Sequence, residues 1–140
     1  MVAEGAVFER DLKVGEDFEQ RVIERLKGKY DLEKMEGNFP QYDLKYRRTG
    51  LTIECKTDSK MEETGNIIIE SKALDKCIAH IFLYENRTTG KIYYSEWPDL
   101  VYWLRIAIEL DFYKERRVGE NNTMGYILPI SDTIAYMKEW

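Results

Sequence analysis

The 140 residues, 44% hydrophobic and 34% charged with only three prolines, suffice for one domain with its own core and not for two, and their composition excludes a disordered or fibrous chain. No apolar run approaches the eighteen or so residues of a membrane span, and the acidic stretch from Met1 to Asp11 does not read as a secretion signal, so a cytoplasmic protein is expected. The net charge of −5 argues against a protein that coats nucleic acid indiscriminately, because such binding rests on many lysines and arginines meeting phosphates.

In chain order, the first element expected is a helix from about Glu16 to Lys27, with Phe18, Val22, Ile23 and Leu26 on one side and Arg21, Glu24 and Arg25 on the other. Gly28 supplies its stop. Residues 30–35 read as a strand, Gly37, Asn38 and Pro40 as punctuation, and residues 42–46 as a second strand. Arg48-Thr49-Gly50 is a turn into residues 51–57, which alternate and so pair back as a hairpin. After a polar loop, strands are expected at 66–70 and 79–85, with a short helix around Ala73 to Cys77 between them.

A turn at Thr88-Thr89-Gly90 leads to a strand at 91–96. Pro98 opens a helix running to about Tyr113, its end carrying Lys114, Arg116 and Arg117. A late strand at 124–130 precedes a terminal helix to Trp140, capped by Ser131 or Asp132. This order predicts an α/β fold, a mixed central sheet flanked by helices, as one domain over 1–140.

The triplet Asp/Glu-x-Lys occurs five times, at Asp11, Asp43, Glu54, Asp58 and Glu70, so spacing alone decides nothing. In the strand 51–58 the period of two puts Leu51, Ile53 and Cys55 on one face and Thr52, Glu54, Lys56 and Asp58 on the other. The first face is expected to pack and the second to be free for chemistry. Asp43, eleven residues upstream of Glu54 across the turn, returns its carboxylate towards Glu54 in a hairpin. Two converging carboxylates repel unless a hard cation lies between them. Magnesium, with manganese as an alternative, takes oxygen ligands and bridges to phosphate. Lys56 would then orient or help deprotonate an attacking water and offset charge on phosphate.

On a helical wheel of about 100° per residue, Glu19 falls inside the apolar arc of Phe18, Val22, Leu26 and Ile23. A carboxylate pointing coreward needs a partner, and a metal site or a lysine would supply one. Glu16, at the edge of that arc, is the weaker candidate. Residues 43–60 hold five basic side chains against three acidic ones, a positive segment on an acidic body. Lys45, Arg47, Arg48 and Lys60 are accordingly candidate DNA contacts.

These residues resemble a known family. Gly15-Glu-Asp-Phe-Glu19 at a helix start, Pro40-Gln-Tyr-Asp43, and Leu51-Thr-Ile-Glu54-Cys-Lys56 look like the core of the PD-(D/E)xK nucleases, which include Holliday junction resolvases, restriction endonucleases and phage or archaeal-virus nucleases. Thr64-Gly-Asn-Ile-Ile-Ile-Glu70 further resembles resolvase-like and virus-encoded members. The resemblance implies a restriction-endonuclease-like core and a magnesium-dependent deoxyribonuclease, with structure-selective cutting as one option and the host cytoplasm as its location if viral. It implies metal ligation by Asp43, Glu54 and the backbone carbonyl of Cys55, catalysis by Lys56 and support by Glu19. The likeness covers residues 15–72, and it departs from the family pattern at Pro40, three residues before Asp43 instead of directly before it.

Simpler readings stand beside this one. Asp43, Glu54 and Lys56 on a solvated hairpin would make only cross-strand ion pairs. A different register would use Asp58 with Glu70-Ser71-Lys72. Asp58, Asn66 and Glu70 are candidate support residues whose ordinary role is loop or strand-end structure. Cys55 and Cys77, too far apart for a metal knuckle, read as small buried hydrophobes in a reducing compartment. His80, the one histidine, is expected to be packed with a satisfied nitrogen, and the aromatic run from Tyr93 to Trp103 to be core or a dimer interface rather than a base-stacking platform. A homodimer is expected because so small a chain offers little surface for gripping DNA, with RNA left open as substrate. The rivals are a non-catalytic DNA-binding or assembly module on the same fold, and an acidic protein that binds another protein.

Overall fold

The computed structural model describes residues 4–37, 39–119 and 122–140. The chain runs α1 (Glu4–Leu26), β1 (Leu32–Lys34), β2 (Leu44–Tyr46), β3 (Thr52–Asp58), α2 (Met61–Thr64), β4 (Asn66–Glu70), α3 (Ser71–Lys76), β5 (Ile81–Asn86), β6 (Lys91–Glu96), α4 (Trp97–Glu109), β7 (Arg116–Val118), β8 (Thr123–Pro129), α5 (Ile130–Thr133) and β9 (Lys138–Glu139). It is a mixed α/β fold. A six-stranded sheet has the order β1-β2-β3-β5-β6-β9, and a three-stranded antiparallel sheet the order β4-β8-β7.

Within the large sheet only β3 and β5 run parallel. Parallel neighbours cannot be joined by a tight turn, and here the crossover is built from α2, β4 and α3. That crossover strand belongs to the small sheet, so the connection itself brings the two sheets face to face.

Each face of the large sheet has its own core. On one, Phe18 and Val22 of α1 pack on Leu32, Leu44, Ile53, Leu83 and Ile92. On the other, Phe82 and Tyr84 meet Trp97, Leu100 and Leu104 of α4, Leu74 of α3, and Ile67, Ile69 and Leu128 of the small sheet. The alternation read in β3 therefore holds, but the expectation of one face free for chemistry does not. The Glu54 and Lys56 face is also covered, and chemistry is left only the gaps at the seam between the sheets.

Helix α1 is tied to the sheet by Arg21, whose guanidinium donates two hydrogen bonds to Glu85, one of them of 3.1 Å from Nη2 to Oε1. Thr57 Oγ1 donates to the same carboxylate at 2.7 Å. Burial alone would raise the Glu85 carboxyl, yet the hydrogen bonds from Arg21 and Thr57 and the charge of Arg21 outweigh it and hold the group below its ordinary value.

Several boundaries differ from expectation. Helix α1 begins at Glu4, so Gly15 is mid-helix and not at a start. A Cβ there would meet nothing within 4 Å, and a glycine in such a place weakens a helix without breaking it. Helix α4 stops at Glu109, and Arg116 and Arg117 lie in a strand instead of a helix end. Asp111, at φ 64, turns the chain there. The expected terminal helix is a four-residue turn, α5, that contains Ser131 and Asp132, followed by an edge strand against β6. The punctuation expected at Gly37-Asn38-Pro40 includes Asn38, outside the described residues. His80 is exposed rather than packed, although its Nδ1 accepts from the Thr52 backbone N–H at 3.0 Å. Among the described residues, no helix is long and apolar enough to cross a membrane.

Candidate active site

The hairpin β2–β3 pairs Leu44 with Ile53, and the Asp43 N–H extends it by donating to the Ile53 carbonyl at 2.9 Å. Asp43 thus stands beside Glu54, as the turn between them implied. Its Oδ2 accepts from the Cys55 backbone N–H at 2.8 Å, which fixes the carboxylate against β3. In β3 the parallel register sets Glu54 beside Phe82 and Lys56 beside Tyr84, so both side chains share the face that looks towards the small sheet. Strand β4 ends there at Glu70, and Lys56 Nζ donates to Glu70 Oε1.

Glu19 approaches from α1. Its side chain is 14% exposed, with Lys34 Nζ 4.0 Å from its Oε1, as the helical wheel required of a coreward carboxylate. Glu19, Asp43, Glu54, Cys55, Lys56 and Glu70 line one half-enclosed cavity of about 170 Å³, whose apolar walls include Ile68, Ala73, Phe82 and Trp97.

The Asp43 carboxylate bears on the titration of two of its neighbours in this small hollow. Burial, then the hydrogen bond and negative charge of Asp43, push Glu54 up to about 9, against smaller downward pulls from the Cys77 thiol and Lys56. Burial and Asp43 push Glu19 up to about 7, with Lys34 opposing. Burial drives the Cys55 and Cys77 thiols upward as well, so both are inert thiols.

Among the described residues, no three or more His, Cys, Asp or Glu side chains form a ready-made metal cage. The donor set that is present, two adjoining carboxylates in a hollow open to solvent, suits magnesium. That ion keeps several waters and binds through one or two carboxylates together with substrate phosphate. It does not suit zinc, which wants histidine or cysteine ligands and a closed tetrahedron in a structural site.

The remaining candidates separate. Glu16 is exposed and outside the cavity, touching it only by repelling Glu19. Asp58 is engaged in structure: Oδ1 accepts from the backbone of Lys60 at 2.7 Å and Met61 at 3.1 Å, and Oδ2 from the Tyr84 hydroxyl. Asn66, at the far end of β4 from Glu70, does not line the cavity. The alternative register through Lys72 lacks its lysine, since Lys72 is exposed on α3 away from the cavity while Glu70 pairs with Lys56.

The basic residues of the hairpin divide as well. Lys45, Arg47 and Arg48 do not line the cavity, and Arg47 pairs with Asp31 at 2.7 Å and Glu33 at 3.8 Å. Lys60 lies on an adjoining hollow with Arg10 and Arg87. Sequence reading missed these two arginines and the contact of Cys77 with Glu54. A parallel β3–β5 pair, which brings Arg87 beside Asp58, leaves no local mark in sequence.

No family model matches the chain, and no curated protein matches it. Among solved structures, D212, a nuclease from a fusselovirus, is similar at a TM-score of 0.46 and 16% identity, over 94% of this chain and 87% of that one. A likeness so remote carries no functional weight, which falls instead on the residues of the cavity.

Proposed function

We propose that the chain is a metal-dependent nuclease of the PD-(D/E)xK type that hydrolyses DNA phosphodiester bonds. The observation that carries this reading is the convergence of Glu19, Asp43, Glu54 and Lys56, from one helix and one hairpin, on a single cavity. A fold alone would not support it, because function lies in the site.

Asp43 and Glu54 would hold the magnesium, with the Cys55 carbonyl as a further oxygen. When bound, the ion would supply Lewis-acid polarisation of phosphate and a more acidic water. The chain's own residues do the rest. The Cys55 N–H holds Asp43 in one orientation. Glu54, pushed up to about 9 by burial and Asp43, holds a proton at neutral pH that a bound cation would displace to solvent. Glu70 holds the Lys56 ammonium at the rim of the cavity, where it can neutralise charge gathering on the phosphate oxygens. Glu19, titrating near neutrality, can take up a proton beside Asp43. The apolar walls at Phe82 and Trp97 exclude water from one side. A homodimer and a preference for branched DNA belong to this reading, and sedimentation at twice the chain mass would be expected of the former.

The test is cleavage of labelled linear duplex, single-stranded, flap and four-way-junction DNA with magnesium or manganese, in the native chain and in Glu54→Ala and Lys56→Ala. Each variant is expected to lose about a hundredfold or more in rate while keeping its circular dichroism spectrum. Absence of cleavage on every substrate with either metal would replace this reading with a non-catalytic binding or assembly module.

A further inference from the structure

A second hollow, of about 350 Å³, continues from the cavity and shares Cys55, Lys56, Ile68 and Glu70 with it. A role for this groove rests on the nuclease reading and extends it to how the substrate is held. Among the described residues its walls carry Arg10, Lys56, Lys60 and Arg87 against Asp58 and Glu70, four cations to two carboxylates, on a chain whose net charge is −5.

Both carboxylates are already engaged. Asp58 accepts from Lys60, Met61 and Tyr84, and Glu70 holds Lys56. The cations come from three parts of the chain. Arg10 is on α1, Lys60 follows β3, and Arg87 follows β5, whose parallel pairing with β3 lets the Arg87 N–H donate to the Asp58 carbonyl at 2.9 Å. Lys60 keeps a 4.0 Å ion pair with exposed Glu63.

The rest of the wall bears on what kind of contact is made. Reading adenine edges calls for asparagine or glutamine and stacking calls for exposed aromatic rings, while arginine serves phosphate and guanine alike. Among the described residues, the groove is lined by no asparagine or glutamine, and its aromatic residue, Tyr84, is fully buried with its hydroxyl committed to Asp58 and the Ile68 N–H. Its volume is at the small end for a ligand site, suited to one strand's backbone.

We propose that this groove holds the sugar-phosphate backbone of one DNA strand leading into the cavity, with Arg10, Lys60 and Arg87 as positioning residues that act without regard to base sequence. The hairpin arginines Arg47 and Arg48 take no part.

The experiment is fluorescence anisotropy of two unrelated labelled oligodeoxynucleotides across a salt series. It uses the Glu54→Gln chain, so that the probe is not cut, and adds Arg10→Ala, Lys60→Ala, Arg87→Ala or, as control, Arg47→Ala. Each groove change is expected to weaken both oligonucleotides alike, several-fold, and to lower the slope of log affinity against log salt by about 0.7–0.9. Arg87→Lys should restore most of the loss and Arg47→Ala should change neither quantity. Unaltered affinity and slope in all three groove variants, with the native chain still cleaving DNA, would overturn the groove and leave the nuclease reading standing. A tenfold preference for one oligonucleotide would also overturn it. A native chain that neither binds nor cleaves DNA would overturn both.

Discussion

Glu54 is held where a carboxylate is most costly, and the cost has a sign. Its value in the folded chain, about 9, lies above the ordinary 4.5 because of burial and Asp43. The folded state therefore binds a proton that the unfolded state has released across that window. Without metal, the stability that this proton supplies is present below about pH 4.5 and is lost as pH rises towards about 9. Glu19 adds a smaller loss of the same sign up to about 7. Glu54→Gln keeps the shape and stays neutral at every pH. At pH 8 without divalent metal, the variant is expected to be more stable than the native chain by roughly 1–3 kcal/mol, because it need not draw a proton from solution to bury a neutral group. Urea melts at pH 5 and pH 8 with chelator measure this. Magnesium should then stabilise the native chain and not the variant, and a native chain whose stability is flat with pH would contradict the account.

At the scale of elements, the site depends on how closely β4 lies on β8. A Cβ at Gly125 would sit 2.7 Å from the Ile69 carbonyl oxygen and 3.0 Å from the Glu70 Cα, both backbone atoms that cannot turn aside. Gly125→Ala should therefore cost about 1–3 kcal/mol as an overpacked core does. It should also lower the cleavage rate by displacing Glu70 from Lys56, which chemical melts and rates on one preparation would separate. Gly15→Ala is the opposite case, a mid-helix glycine with open space around it, and should stabilise by about 0.5–1 kcal/mol. These two glycines also mark how far the sequence could be read. The hairpin of Asp43 and Glu54 and the inward face of Glu19 were legible, because a turn, an alternation and a helical period are local patterns. The Glu70 partner of Lys56 was legible only as a candidate, and β4 and β8 were legible as strands while β7 and the pairing of the three into a second sheet were not. Three-residue β7 has too little sequence to show a period, and the pairing of β4 with β8 joins residues some sixty positions apart. Helix α1 was misread at its start because Gly15 looks like a boundary in sequence, while the helix passes through it.

For the molecule as a whole, the candidate site is a property of the seam between two sheets, and one side chain ties strands across that seam. Tyr84, fully buried on β5, accepts from the Ile68 N–H of β4 at 3.0 Å and donates to Asp58 at the end of β3. Its hydroxyl therefore joins both strands that carry Lys56 and Glu70, and it does so where the cavity meets the groove. Burial and the charge of Asp58 push its own titration well above the ordinary tyrosine value, so it stays a donor at every working pH. Tyr84→Phe keeps the ring and removes the hydroxyl, leaving a buried N–H and a carboxylate oxygen without their partner, at about 1–3 kcal/mol. If the seam sets the geometry of the site, the variant should also lose cleavage rate at saturating substrate while its affinity for DNA changes little. Removing a phosphate-binding cation from the groove would instead weaken binding. Measuring kcat and KM for Tyr84→Phe beside Arg87→Ala places the two effects in one assay, and a Tyr84→Phe chain with native kcat would show that the two sheets hold their register without this hydroxyl.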